Sequence, residues 1–150
     1  KHPVYLILPN IRSCHNVGAM FRTADATGIA KLFLVGYTAQ PPKIQIDKVA
    51  LGAEKWMPWE YKENLLDLLK ELKKEGVHIV ALEKNDTSVD LSTYKKPDAP
   101  IAIVLGNEVD GVLPETLKLC DDVVHIEMKG KKESLNVSIA AGIAMYEITK

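Results

Sequence analysis

An α/β fold with a mostly parallel sheet flanked by helices is predicted by three observations. Short apolar runs alternate with amphipathic stretches along the whole chain, and Gly, Pro or Asn separates most of them. The runs are also apolar nearly throughout, as strands covered on both faces are.

Val4 to Leu8 is the first such run, ended by Pro9 and Asn10. A helix follows, with Asn16 as its expected N-cap, Val17, Met20, Phe21 and Ala24 at helical spacing, and Gly28 as the residue beyond its end. Lys31 to Val35 is the second strand. After a loop carrying Pro41 and Pro42, Ile44 to Leu51 is predicted as a short helix closed by Gly52, and WMPWEY as a weak strand with an internal proline. Asn64 to Glu75, with leucines at 65, 66, 68, 69 and 72, is an amphipathic helix ending at Gly76. Val77 to Leu82 is a buried strand, residues 84 to 100 a polar connection, and Ile101 to Leu105 another strand. Pro114 to Leu119 starts with proline in its first turn, as short helices often do. Val123 to Ile126 is the last predicted strand, and Ser134 to Thr149 the closing helix, with Ser134 a candidate cap.

At 150 residues, 47% hydrophobic and 26% charged, the expectation is one domain spanning 1 to 150. No apolar run nears the roughly 20 residues of a membrane span. Cys14 and Cys120 form no CxxC pair, and His2, His15, His78 and His125 have no ligand spacing, so neither a metal nor a disulfide is expected, and a reducing cytoplasm fits. A net charge of −1 argues against gripping nucleic acid by bulk charge. Any such contact has to be local. Of the 19 basic residues only Arg12 and Arg22 are arginines, and both fall near the N-terminus.

Three segments carry candidate chemistry. In NIRSCHNVGAMFRTADATG, Arg22 stands mid-helix among Gly18, Ala19, Asp25 and Ala26, small neighbours that leave its guanidinium reachable; pairing with Asp25 is the plainer alternative. In IAIVLGNEVDG, a strand runs into Gly106, Asn107 and Glu108, where ligands of open α/β sheets bind, and Gly106 would admit a ligand close to the backbone. In VVHIEMKGKKESLNVSIAAG, a lysine-bearing loop leads to Ser134 and Asn136 and then to a helix apolar almost all round, which predicts burial on more than one side and a subunit interface. No GxGxxG or GxxxxGK[ST] phosphate signature is present, so a cofactor without phosphates fits better than a nucleotide.

N-x5-R in NVGAMFR, GNE in LGNEVDG and SLNVSIAAG, in this order, resemble the three motifs of the SpoU/TrmH family of SPOUT RNA ribose methyltransferases, across essentially the whole chain. The resemblance implies a C-terminal trefoil knot, a homodimer, S-adenosyl-L-methionine as cofactor, and methyl transfer to a ribose 2′-hydroxyl of tRNA or rRNA. It implies a cofactor pocket involving Leu82, Gly106, Asn107, Ile126, Met128 and Leu135, and an active site involving Asn16, Arg22, Glu108, Ser134 and Asn136. Lys129–Gly130 with Lys131–Lys132, and Val109–Asp110 after GNE, depart from the pattern of close relatives and bear on loop shape and RNA preference.

A guanidinium keeps its proton at any physiological pH and is a poor base, so Arg22 is expected to stabilise an emerging alkoxide or hold a phosphate rather than take the proton. Alternatives are a SPOUT enzyme that methylates a base nitrogen, and a noncatalytic RNA-binding or cofactor-sensing module; strand–helix alternation alone would also suit a flavodoxin-like domain.

Overall fold

The computed structural model describes residues 1–150, and in it seven strands pair in parallel in the order β3-β2-β1-β6-β4-β7-β5. They are β1 (Val4–Pro9), β2 (Lys31–Val35), β3 (Trp59–Lys62), β4 (His78–Leu82), β5 (Val89–Asp90), β6 (Ile101–Val104) and β7 (Asp122–His125). The helices are α1 (Cys14–Thr27), α2 (Ile44–Ala50), α3 (Leu65–Lys74), α4 (Pro114–Leu117) and α5 (Val137–Ile148). From β1 the chain builds outward through β2 and β3, then crosses to β4 on the far side, leaving a place beside β1 that β6 fills later. Such a reversal opens a crevice at the carboxyl ends of the strands.

Because side chains alternate across a strand, the apolar runs feed two cores. Leu6, Leu8, Leu32, Leu34, Val80 and Ile103 meet Val17, Met20, Phe21 and Ala24 of α1 and Ala141, Ala144, Met145 and Ile148 of α5. On the other face Ile7, Phe33, Val35, Ile79, Ala102 and Val104 meet Leu68, Leu69 and Leu72 of α3. Each fully buried side chain of this size contributes about 1.5–3 kcal/mol. The small residues of α1 also permit close crossing: a Cβ on Gly18 would lie 2.6 Å from the Ile46 carbonyl oxygen of α2.

Several sequence expectations shift. The N-cap of α1 is Ser13, not Asn16; its Oγ accepts from the Asn16 backbone N–H at 3.1 Å, so the helix starts one turn earlier and Asn16 is free to face inward. Similarly α5 is capped by Asn136, whose Oδ1 accepts from Ser138 N at 2.8 Å, so Ser134 precedes the helix instead of capping it. The strand β3 begins after Pro58, which the missing N–H explains. The polar connection contains β5 and a one-turn 3-10 helix at Leu91–Thr93; two residues are too few to show a period. β7 spans Asp122–His125, which leaves Ile126 in the loop beyond it. No helix is long and apolar enough to cross a membrane.

Candidate active site at the carboxyl edge of the sheet

The β6–α4 loop is organised by Asn107. Its backbone N–H and C=O both pair with Gly111, at 3.2 and 3.0 Å, which closes a tight loop. Its side-chain Oδ1 accepts from Val109 N at 2.7 Å and Asp110 N at 3.0 Å, while Nδ2 donates to the Asn10 carbonyl at 2.6 Å and to Tyr37 Oη at 3.0 Å. Those bonds commit its polar groups to holding three loops together. Asn107, expected in the cofactor pocket, thus also shapes this loop. Gly106 is also needed for a reason other than the one expected, since a Cβ there would lie 2.8 Å from the Gly111 carbonyl carbon. The loop's own backbone fills that space.

Glu83, which sequence reasoning passed over, grips the same loop from just beyond β4. Its Oε2 accepts from Val112 N at 3.2 Å, and Gly111, at φ +67°, has no Cβ to obstruct it. A glutamate after a strand carries no pattern that marks it.

Beside this loop lies a cleft of about 760 Å³, within the size range of small-molecule sites. Asn16, Glu108, Lys132, Ser134 and Asn136 supply its polar lining, and Leu82, Leu105, Leu135, Val137 and Ala140 its apolar lining, with Gly106, Asn107, Gly111 and Glu83 between. A second cavity of about 180 Å³ shares Leu82, Glu83, Ser134, Leu135 and Ala140 with the first and is bordered by Ile126 and Met128. The two are therefore adjoining. Every residue expected to bind cofactor lines one or both, as do four of the five expected in the active site.

Within the cleft Asn16 is buried, and its Nδ2 donates to Glu108 Oε2 at 3.4 Å, linking the first and second motifs. Asn136 has its Oδ1 occupied by Ser138, whose Oγ donates at 2.6 Å, and this leaves its amide nitrogen for a ligand. His125 closes the smaller cavity, with Nδ1 2.9 Å from Ser88 Oγ and Nε2 3.2 Å from Glu127 Oε2.

Arg22 is absent from this gathering. It is exposed on α1, forms no ion pair, and does not line the cleft; the pairing with Asp25 is not formed either, because Asp25 Oδ1 accepts from Trp56 Nε1 at 2.9 Å. Its neighbour Thr23 instead borders a shallow groove along α5 with Ile139, Gly142, Ile143 and Tyr146. Ile139, Ile143 and Tyr146 are 55%, 39% and 63% exposed, so the second side of the over-apolar helix is uncovered in a single chain.

An apolar wall, backbone groups and carboxylates, with no phosphate-binding loop, suit a cationic cofactor bearing an aromatic base better than a dinucleotide. Comparison with known proteins agrees. The model of the SpoU rRNA methylase family matches residues 3–146. The chain is 35% identical over 149 residues to the 23S rRNA (guanosine-2′-O-)-methyltransferase RlmB of Vibrio parahaemolyticus, covering 99% of this chain and 59% of that protein. It is 38% identical over 141 residues to a tRNA (guanosine(18)-2′-O)-methyltransferase of Aquifex aeolicus, covering 92% of this chain and 64% of that protein. The structure of an AdoMet-bound rRNA methyltransferase from Sinorhizobium meliloti superposes with a TM-score of 0.90 at 30% identity, covering 98% of this chain and 57% of that one. The chain thus spans about 60% of the length of the curated relatives it matches.

Proposed function

The chain belongs to the SpoU rRNA methylase family, and from that membership and the cleft we propose that it transfers a methyl group from S-adenosyl-L-methionine to a ribose 2′-hydroxyl of rRNA or tRNA. The observation that carries this reading is the meeting of three distant motifs, through Asn16, Glu108, Ser134 and Asn136, in one cleft that Leu82, Leu105, Leu135, Val137 and Ala140 also line. A cytoplasmic location goes with such a substrate.

When bound, the cofactor supplies an electrophilic methyl group on a sulfonium. Leu82, Ile126, Met128 and Leu135 offer the apolar surface for its adenine, and the loop after Gly106 offers backbone groups. Ser134 Oγ and the Asn136 amide would orient the ribose, and Asn16 would fix Glu108 beside it. Such alignment of nucleophile and donor accounts for several kcal/mol of rate enhancement. A hydroxyl is a weak nucleophile, so the proton must leave as the oxygen bonds carbon. The role of Arg22 in that step is electrostatic: its fixed cation stabilises the emerging alkoxide or holds the neighbouring phosphate, and the proton passes to that phosphate or to water.

Arg22 does not line its own cleft, and its neighbour Thr23 borders the uncovered face of α5, so the reading includes a homodimer through that face in which the arginine of one protomer serves the cleft of its partner. The family's trefoil knot is part of the same reading. It is supported by the gathering of Ile126, Met128 and Lys132 to Asn136 with Leu82, at the end of β4, and Leu105, just beyond β6, around adjoining cavities before α5 packs on α1.

The test is transfer of labelled methyl from S-adenosyl-L-methionine to unmodified rRNA and tRNA, followed by nucleoside digestion. Label in 2′-O-methyl nucleosides, resistant to alkali at the adjacent phosphodiester, is expected, with Arg22→Ala slower by about a hundredfold or more. Label in a methylated base, or near wild-type rates in Arg22→Ala, would show the reading to be wrong.

A further inference from the structure

We propose that Arg12 and Tyr37 form a stacking platform for an RNA base at the rim of the cleft; this inference rests on RNA being the substrate. The Arg12 guanidinium carbon lies 4.6 Å from the centroid of the Tyr37 ring. Both side chains are exposed, Tyr37 by 52%, and Arg12 forms no ion pair. A guanidinium with no carboxylate partner, laid on an aromatic ring, presents a flat cationic surface to solvent.

The ring is held at both ends. The Tyr37 backbone N–H donates to Asn10 Oδ1 at 3.1 Å, and its Oη accepts from Asn107 Nδ2 at 3.0 Å, the same nitrogen that donates to the Asn10 carbonyl. An exposed tyrosine fixed in this way has little freedom left to lose on binding. Its anchors also set its place, since Asn107 precedes Glu108 and Arg12 lies four residues before Asn16, and both Glu108 and Asn16 line the cleft. The platform therefore adjoins the cleft through Asn107, next to the residues proposed to hold the ribose. Its chemistry fits a base splayed out of a single strand, which stacks on aromatic rings and guanidinium planes while the guanidinium edge remains available to a phosphate.

The probe is a fluorescently labelled oligoadenylate decamer, compared with the same ribose-phosphate chain lacking bases, with affinity measured by anisotropy at one salt concentration. Wild type is expected to bind the adenine oligomer more tightly than the abasic one. Tyr37→Ala is expected to weaken adenine binding by about tenfold while leaving abasic binding unchanged. Arg12→Ala, which breaks no hydrogen bond of the fold, is expected to lose adenine binding to a similar extent. Tyr37→Phe, which keeps the ring, is expected to stay within about twofold of wild type. Equal losses on both oligomers in Tyr37→Ala, unchanged adenine binding in the two alanine variants, or no preference for bases in wild type would each overturn the platform. These outcomes separate from those of the proposed reaction: a wild type that methylates ribose but ignores bases sinks the platform alone, and one with a Tyr37-dependent base preference but no methyl transfer sinks the reaction alone.

Discussion

Asn16 and Asn107 show how far a side chain's role can be read before its neighbours are known. Asn16 has the chemistry of an N-cap and stands just before a helical pattern, yet Ser13 takes the cap and releases Asn16 to bond Glu108, 92 residues away. Removing the Ser13 hydroxyl by Ser13→Ala is expected to lower stability by about 1 kcal/mol in urea denaturation. Asn16→Ala is expected to affect methyl transfer more than stability, the reverse ordering being what an N-cap at Asn16 would give. Polar residues that face the cleft from the three motifs were legible in the sequence as candidates. Glu83 was not, because what makes it matter is a hydrogen bond to Val112, 29 residues on, and nothing local marks it. Asn107 was legible as a cleft residue, but its bonds to Asn10 and Tyr37, 97 and 70 residues away, were not.

At the scale of elements, periodicity found what is long and amphipathic, as with α3, and missed what is short, as with β5. The order of strands was beyond it, since β6 enters between β1 and β4 only because a place was left for it earlier in the chain. The opposite edge of the sheet shows a polar junction between elements. Asp122 of β7 accepts from Tyr94 Oη and meets His78 Nε2 of β4, both at 2.6 Å. Burial opposes ionisation of Asp122, but the hydrogen bonds from Tyr94 and His78 outweigh it and hold the carboxyl below the usual aspartate value of 3.8. A group whose native pKa is depressed adds stability that is complete above its unfolded value and lost as pH falls through the native one. Thermal melts between about pH 5 and pH 3 should therefore show the wild-type melting temperature falling. Asp122→Asn should lower it at pH 5 and flatten that decline, whereas an unchanged slope would mean that the junction does not carry the acid sensitivity.

For the whole molecule, the decisive question is whether a single chain contains a complete site. The over-apolar α5 was legible as a helix with two sides to bury, and its exposed Ile139, Ile143 and Tyr146 fit a second copy of this chain seated there. Arg22 gives that seat a chemical consequence, because it is the one expected active-site residue that the fold leaves outside the cleft. Ile143→Glu would place a charge in the apolar face and is expected to give a monomer by sedimentation that binds cofactor but does not transfer methyl groups. Complementation then asks which protomer serves which cleft. Arg22→Ala and Asn136→Ala are each expected to be inactive alone. If they are unfolded and refolded together, random pairing makes half the dimers mixed, and in each mixed dimer one cleft has both an intact Asn136 and an intact Arg22 from its partner. About a quarter of the wild-type activity should return. If Arg22 served its own cleft, no dimer in the mixture would hold a complete site, and activity would stay at the level of the separate variants.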